Sequence, residues 1–458
     1  MNAVPAAFDV HSVRNAIQLA EPSAIAADIY SATAEFPSEF PTVGRRLRGR
    51  RRGEGDAVAS AALILNDAGA LTWHDGAAAT APRGARRMRR GVPAAPEGEL
   101  IELYQYQPLE ANEIAEYLTR LDIRLNGHLH PTSGAPELVP LTFNAQSGFV
   151  TRGQPLVPSG KKKRLLFVHG TFSKTEAFLD GIARAPQGKA FLQSIFNGYD
   201  EVLAYDHATL SISPVLNAFD LARLLQKIDG PLDVVAHSRG GLVTRWALEG
   251  FGVGGSGPFR GVLVGCPING TSLASPPRLR SSLSLLSNIG TALQIAGGVA
   301  TAFTPLLIAP LTLIRIAGSV VALAAKTPIV DASVQMIPGL AGQSRVGNNH
   351  DLARIRSVQI ATPPTYFAVQ SNYETLSPGW KFWKWFNKGR LADAGADIVF
   401  SADNDLVVDT LSMTDLSGTT QLPKARVLDF GTTDKVHHCN YFEQPATLDF
   451  IRDSLKVP

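Results

Sequence analysis

The chain has 458 residues, enough for one large domain with additions or for two domains. Its 45% hydrophobic and 18% charged residues indicate a globular protein with a good core, and its net charge of +3 is small. Two cysteines, Cys266 and Cys439, are too few for a disulfide framework, and the N-terminus has no apolar stretch typical of a secretory signal. We therefore expect a reducing, cytoplasmic location.

Residues 1–160 are expected to form a small N-terminal α+β module of unassigned role. Its predicted elements are a hairpin over residues 61–73, a strand over 99–106 and a helix over 111–125. A linker rich in Pro, Gly and Lys at residues 155–163 marks the expected boundary with a second domain, residues 161–458.

Two basic runs lie in the N-terminal module, at residues 45–52 and 83–90, among Gly, Ala and Pro. We interpret them as solvated loops in preference to a contact with anionic lipid or nucleic acid. No nucleic-acid partner is expected.

Strands and helices alternate in the second domain. Continuously apolar strands indicate a mainly parallel sheet that is covered on both faces. The predicted strands are residues 164–168, 201–205, 232–236, 261–267, 366–369 and 426–430, with a helix over 214–228.

An insertion at about residues 272–357 interrupts this alternation. Residues 281–314 contain no charged side chain, and Pro305 and Pro310 divide the apolar run. We interpret the insertion as an apolar helical cap, or lid, over a site on the sheet. The alternative is a membrane hairpin, since each half has about 17 to 20 residues, close to the minimum for crossing a bilayer.

A dense aromatic cluster follows at residues 380–386, where three Trp and two Phe alternate with lysines. We interpret it as the packed face of a short helix. The alternative is a belt at a membrane interface, because Trp and Lys together favour the headgroup level. Peripheral membrane contact through the cluster or the insertion is compatible with the cap.

The segment 232–248 predicts a strand, a sharp turn and a helix, with Ser238 at the turn. Small residues at such a turn relieve clashes, and the helix N-terminus directs N–H groups at whatever the serine attacks. The segment is typical of a nucleophile elbow. It departs from G-x-S-x-G at Ala236, which occupies the place of the first glycine.

A serine nucleophile requires a base and an acid, which follow it in the order Ser, Asp or Glu, His in this architecture. For the acid we select Asp405 ahead of Asp403 and Asp409, because it lies in a turn-forming cluster before an apolar pair. The base is expected in the loop after the last strand, at His437 or His438.

Two backbone donors are expected to form an oxyanion hole: the N–H of Arg239, next to the serine, and that of Thr171, in the loop after strand 164–168. His169 and His207 are interpreted as structural residues. The side chains of Arg239 and Arg245 are expected to face solvent or form salt bridges, and Cys439 is discounted as a nucleophile because no elbow surrounds it.

Together these segments resemble the lipase/esterase branch of the α/β-hydrolase superfamily, and look like bacterial triacylglycerol-lipase-like hydrolases, from about residue 163 to the C-terminus. The segments are FVHGTF at 167–172, VVAHSRGGLVTR at 234–245, GTSLASPP at 270–277, NDLVV at 404–408 and HCNYF at 438–442.

The resemblance implies an α/β-hydrolase fold and a Ser238-Asp405-His438 triad, and it selects His438 over His437. It implies hydrolysis of an ester or lipid without a metal or cofactor. An acyltransferase or a thioesterase/amidase on the same fold is an alternative that the sequence does not separate. A non-catalytic membrane-docking scaffold is a second alternative, although a scaffold does not require three catalytic residue types in order.

Overall fold

The structure is a computed structural model, and its description covers most of the chain from residue 114 onward except two long segments. The described residues are 59–65, 71–75, 98–106, 114–154, 156, 160–226, 228–253, 259–271, 337–345, 349–360, 363–373, 403–405 and 407–457. They fall into two units, the first containing three strands and the second beginning at Leu118.

The first unit contains a small antiparallel sheet of three strands in the order β2-β1-β3. The strands are β1 (Ala59–Leu65), β2 (Leu71–Asp75) and β3 (Glu99–Tyr106). Residues 65 and 71 face each other, so β1 and β2 form the hairpin predicted over residues 61–73. The predicted strand over residues 99–106 is also confirmed.

The second unit is built on an eight-stranded sheet in the order β11-β10-β9-β8-β6-β7-β4-β5. Its strands are β4 (Glu137–Phe143), β5 (Val150–Arg152), β6 (Arg164–Val168), β7 (Glu201–Asp206), β8 (Leu232–His237), β9 (Phe259–Val264), β10 (Thr365–Tyr373) and β11 (Val427–Thr433). Six neighbouring strands, from β11 to β7, are parallel, while β4 is antiparallel to both β7 and β5.

The helices of the described residues are α1 (Ile114–Leu125), α2 (Thr175–Arg184), α3 (Gly188–Gly198), α4 (Pro214–Leu225), α5 (Gly240–Arg245), α6 (Pro338–Ala341), α7 (His350–Ser357) and α8 (Pro445–Ser454). Helices α2, α3 and α8 cover one face of the sheet, and α4 and α5 cover the other. A π-helical turn, Trp246–Gly250, extends α5. A mainly parallel sheet flanked by helices, with a serine between β8 and α5, is the expected α/β-hydrolase fold.

The strands are apolar along their whole length because the sheet has a hydrophobic core on each of its two faces. In β6, Leu165 and Phe167 pack on one face with α2, α3 and α8, while Leu166 and Val168 pack on the other with α4 and α5. Every residue of β6 is buried. A strand covered on both sides has no solvent face, so its sequence does not alternate.

The sheet begins earlier in the chain than expected. Strands β4 and β5 precede residue 160, so the boundary that we predicted there falls after two strands of this sheet. Helices α2, α3 and α8 were not among the predicted elements.

Several predictions concern residues outside those described. These are the two basic runs, the aromatic cluster at 380–386 and most of the insertion, including residues 281–325. Within the described part of the chain, no helix combines the length and apolarity needed to cross a membrane. The cap and the hairpin both stay predictions.

The two-sided core predicts that Leu165→Ala costs about 2–5 kcal/mol of unfolding free energy, because the side chain is fully buried and leaves a cavity. The matched control is Leu411→Ala, since Leu411 is 60% exposed and its loss should cost less than about 0.5 kcal/mol. Urea denaturation of both variants checks this, and equal midpoints would contradict the assignment of β6 to the core.

Candidate active site

Ser238 lies in the turn between β8 and α5 with a backbone φ of 51°. This left-handed conformation is uncommon for residues other than glycine and is costly unless the surrounding structure enforces it. Here the N–H of Ser238 donates to the carbonyl of Val264 at 3.0 Å, which ties the turn to the end of β9. The side chain is 6% exposed.

Three glycines pack so closely around the turn that a β-carbon would not fit. A β-carbon on Gly170 would lie 2.7 Å from Cβ of Ser238, one on Gly240 2.3 Å from the carbonyl oxygen of Val168, and one on Gly241 2.5 Å from Cβ of Cys266. The glycines of the sequence pattern are therefore explained by packing against β6 and β9.

Ala236, the departure from the usual pattern, is a residue of β8 that lies between Val168 of β6 and Leu263 of β9. It is fully buried and belongs to the core on the α4 and α5 face. Its methyl group is accommodated there, so the departure leaves the elbow intact.

The structure brings together His438 and Asp405, the pair that the family resemblance implies. Nδ1 of His438 lies 2.8 Å from Oδ2 of Asp405, and the backbone N–H of His438 donates to the carbonyl of Asp405 at 3.1 Å. An ionised carboxylate only accepts hydrogen bonds, so Nδ1 carries the proton and Nε2 keeps a lone pair. This is the tautomer that a general base requires.

Asp405 is held by its own turn. Its Oδ1 accepts the backbone N–H groups of Val407 at 3.1 Å and Val408 at 2.8 Å, and the residue is fully buried. Donors of this kind stabilise the ionised carboxylate and fix its orientation.

The elbow and the His438 loop are connected through His237. Its Nε2 donates to the carbonyl of His438 at 3.0 Å, and the two rings lie 4.8 Å apart. Burial lowers the pKa of His237 to about 3, so the ring stays neutral and can keep this role. The residue before the serine thus positions the loop of the proposed base.

The alternatives Asp409 and His437 have other partners. Oδ2 of Asp409 lies 3.5 Å from Nη1 of Arg345. Nδ1 of His437 accepts the N–H of Cys439, and burial lowers the pKa of His437 to about 4. These contacts support the selection of Asp405 over Asp409 and of His438 over His437.

Thr171 lies in the turn after β6, next to Phe172, whose φ is 55°. Its hydroxyl accepts from Nε2 of Gln343 at 3.0 Å, and the N–H of Phe172 donates to Oγ1 of Thr209 at 3.3 Å. Within the described part of the chain, no hydrogen bond occupies the backbone N–H of Thr171 or of Arg239. As far as the described residues go, both donors can bind a ligand.

Buried polar residues hydrogen-bond to the loop that follows β6 and contains Thr171. His169, directly before Gly170, donates from Nδ1 to the carbonyl of Gly170 at 2.9 Å and accepts the N–H of His207 at Nε2. Burial lowers the pKa of both histidines, and their rings stack at 4.1 Å. Their environment agrees with the structural role that we expected.

The side chain of Arg239 differs from the expectation of a solvent or salt-bridge role. It is fully buried, and its Nη2 donates to the carbonyl of Ile212 at 2.6 Å. Burial lowers its pKa to about 10, although the charge of Asp122 opposes this. By contrast, Arg245 pairs with Glu249 at 2.8 Å, as expected.

Asp122 of α1 is a supporting residue that our sequence analysis missed. Its carboxylate accepts from the N–H and hydroxyl of Thr209 and Ser211 and from the N–H of Leu210, at 2.7 to 3.2 Å. The loop that it holds contacts both Arg239 and Phe172. A signal was present, because Asp122 lies at helical spacing from Leu118 on the apolar face of α1.

Among the described residues, no group of three or more His, Cys, Asp or Glu side chains is arranged to hold a metal ion. The chemistry that the arrangement can perform is nucleophilic. A serine on a left-handed turn, a histidine oriented by a carboxylate and two backbone N–H groups without a partner among the described residues are the parts needed for acyl transfer.

Solved structures similar to this chain include lipases and a carboxylesterase. The mature form of a lipase from Bacillus licheniformis is 18% identical with a TM-score of 0.37, and the match covers 68% of this chain and 99% of that one. Lipase 1 from Pelosinus fermentans is 14% identical with a TM-score of 0.35, covering 65% and 98%. A carboxylesterase structure from Nitrososphaera gargenis is 12% identical with a TM-score of 0.35, covering 72% and 97%.

Comparison with curated proteins gave no match. The family described as a domain of unknown function (DUF7379) matches residues 139–456, from β4 to just beyond α8. Because this span is more than half of the chain, the protein belongs to the DUF7379 family.

Proposed function

We propose that this protein is a serine hydrolase that cleaves carboxylic esters through an acyl-enzyme on Ser238. The observation that carries the proposal is the 2.8 Å contact between His438 and Asp405, which are joined through His237 to the elbow of Ser238. Burial of Ser238, Asp405 and His438 excludes most bulk water from their contacts, so each electrostatic interaction is strengthened.

In the proposed reaction, Nε2 of His438 removes the proton of Ser238 as its Oγ attacks the ester carbonyl. The negative charge that develops on the carbonyl oxygen is stabilised by the backbone N–H groups of Thr171 and Arg239. His438 then gives its proton to the departing alcohol. A water molecule, deprotonated by the same nitrogen, releases the acid and restores Ser238.

The substrate is proposed to have a long or lipidic acyl chain. The support comes from the sequence of the insertion, which lies between β9 and β10 and has no charged side chain from residue 281 to 314. Each methylene group of the acyl chain that an apolar cap buries makes the binding free energy more favourable by about 0.8 kcal/mol. Contact of this segment with a lipid surface belongs to the same proposal.

A series of p-nitrophenyl esters from two to sixteen acyl carbons tests the proposal, with and without lipid vesicles. We expect hydrolysis by the wild type, rising kcat/KM with chain length and no hydrolysis by Ser238→Ala. Preference for short chains would contradict the lipidic substrate. Absence of hydrolysis across the series, or equal rates in Ser238→Ala, would contradict the function itself.

The proposed acid predicts that Asp405→Asn lowers kcat by about 10³–10⁴, because an amide at this position favours the wrong tautomer of His438. The matched control is Asp403→Asn, which removes a charge from the same loop and should lower kcat less than about tenfold. Steady-state kinetics on both variants decide, and equal small losses would contradict the assignment.

The packing of Gly170 predicts that Gly170→Ala lowers kcat/KM by about 100-fold or more, since the new methyl group displaces Ser238 or the oxyanion loop. Gly127→Ala is the control, because a β-carbon there meets no atom within 4 Å. Both variants should keep the circular dichroism of the wild type. Full activity of Gly170→Ala would show that the loop does not lie against the serine.

A further inference from the structure

Tyr441 contacts the proposed catalytic acid from the interior of the protein. It begins a short 3₁₀ turn, Tyr441–Glu443, and its side chain is fully buried. The phenol oxygen lies 3.0 Å from Oδ2 of Asp405 and 2.8 Å from Oγ of Ser371, a buried residue of β10.

The direction of these hydrogen bonds follows from the donors that are present. A carboxylate only accepts, so the single phenol proton of Tyr441 goes to Asp405, and Ser371 donates to the phenol oxygen. Burial and the nearby charge of Asp405 raise the pKa of Tyr441 well above its ordinary value, so the phenol stays protonated. The result is a chain of donors from Ser371 through Tyr441 to Asp405.

The phenol and the imidazole share one carboxylate oxygen. Oδ2 of Asp405 accepts from both Tyr441 and Nδ1 of His438, while Oδ1 accepts two backbone N–H groups. A second donor on Oδ2 draws negative charge away from the bond to His438 and fixes the angle of the carboxylate.

Gly265 lies against Tyr441, Asp405 and His438. A β-carbon on Gly265, whose φ is 56°, would lie 2.8 Å from Cε2 of Tyr441 and 3.2 Å from both Oδ2 of Asp405 and Nδ1 of His438. This glycine therefore lets the three side chains meet at the end of β9.

Among the described residues, the titratable groups that lie near His438 include Asp405, Tyr441, His237 and His437. Burial lowers the pKa of His237 to about 3 and of His437 to about 4, and Tyr441 keeps its proton. The acid in this group that contacts His438 directly is Asp405. Whatever changes the charge of Asp405 changes the proton affinity of the imidazole.

We propose that Tyr441 is a positioning residue that orients Asp405 and weakens its attraction for protonated His438, and so sets the pH at which His438 becomes a base. The inference deepens the proposed hydrolase function and rests on it. Removal of the phenol hydroxyl leaves more negative charge on Oδ2, which stabilises the imidazolium. The acidic limb of the pH profile should then move to higher pH.

The test compares Tyr441→Phe with Tyr199→Phe. The control removes a bond of the same kind, from a buried tyrosine to Oδ2 of Asp233 at 2.6 Å. Asp233 is five residues before Ser238, so along β8 the two are separated by roughly 16 Å. Both variants lose a buried Tyr–Asp hydrogen bond, but only the bond lost in Tyr441→Phe involves an acid of the proposed triad.

For Tyr441→Phe we expect the acidic limb of kcat/KM to move up by about half a unit to one unit, with kcat lowered several-fold and KM within about twofold. Tyr199→Phe should keep the wild-type profile. A profile of Tyr441→Phe that coincides with that of the wild type would overturn the inference.

An NMR titration of the histidine Cε1–H signals gives a readout that does not depend on turnover, with the signal of His438 assigned from its loss in His438→Gln. In Tyr441→Phe its midpoint should move in the same upward direction as the acidic limb. An unmoved midpoint overturns the inference even if the wild type hydrolyses no ester. Absence of ester hydrolysis by the wild type, with a moved midpoint, would contradict the proposed function alone.

Discussion

The backbone of Ser238 is held at a positive φ, and the rest of the proposed site is arranged around that constraint. A left-handed turn directly after a buried strand projects the side chain beyond the edge of the sheet and brings neighbouring backbone segments very close to the turn. This close approach is possible because Gly170, Gly240 and Gly241 have no β-carbon. The turn can persist because β8 lies between two parallel neighbours and its end is bonded to Val264.

Two separate networks of buried hydrogen bonds extend from this turn. One joins His237, His438, Asp405 and Tyr441 on the side of β9 and β10. The other runs from Asp122 through the loop at residues 209–212 to Arg239 and Phe172 on the side of β6 and β7. The first can orient an acid and a base, and the second can orient two oxyanion donors.

In both networks the buried carboxylates are satisfied mainly by backbone N–H and hydroxyl donors. Asp122 accepts five donors without forming a direct ion pair with Arg239 in the described part of the chain, and Asp405 accepts four. Donors fixed by the backbone cost no side-chain entropy, so they hold a carboxylate more rigidly than a mobile lysine would.

The parts of the structure that depend on local sequence could be predicted. Short apolar runs predict the strands β6 to β9, and the glycines around Ser238 predict the elbow. Strand β4 was not among the predicted elements, and Pro140 within it lacks the N–H donor that a strand residue normally supplies. Spacing also could not separate His437 from His438, since the difference lies in which ring reaches Asp405.

The supporting residues depend on contacts between distant parts of the chain. Asp122 lies 87 residues before Thr209, and Tyr441 lies 70 residues after Ser371. A sequence pattern shows that an acid or a phenol occupies an apolar face, but the partner is set by tertiary packing. This is why the roles of Asp122 and Tyr441 emerged from the structure.

The central claim is that Ser238 is an activated nucleophile, and labelling with a fluorophosphonate followed by peptide mapping by mass spectrometry tests it most directly. A serine without a base does not react with this reagent at a useful rate. The account predicts one adduct per chain, on Ser238, and none in Ser238→Ala. Folded wild-type protein that stays unlabelled, or carries the adduct on another residue, would contradict it.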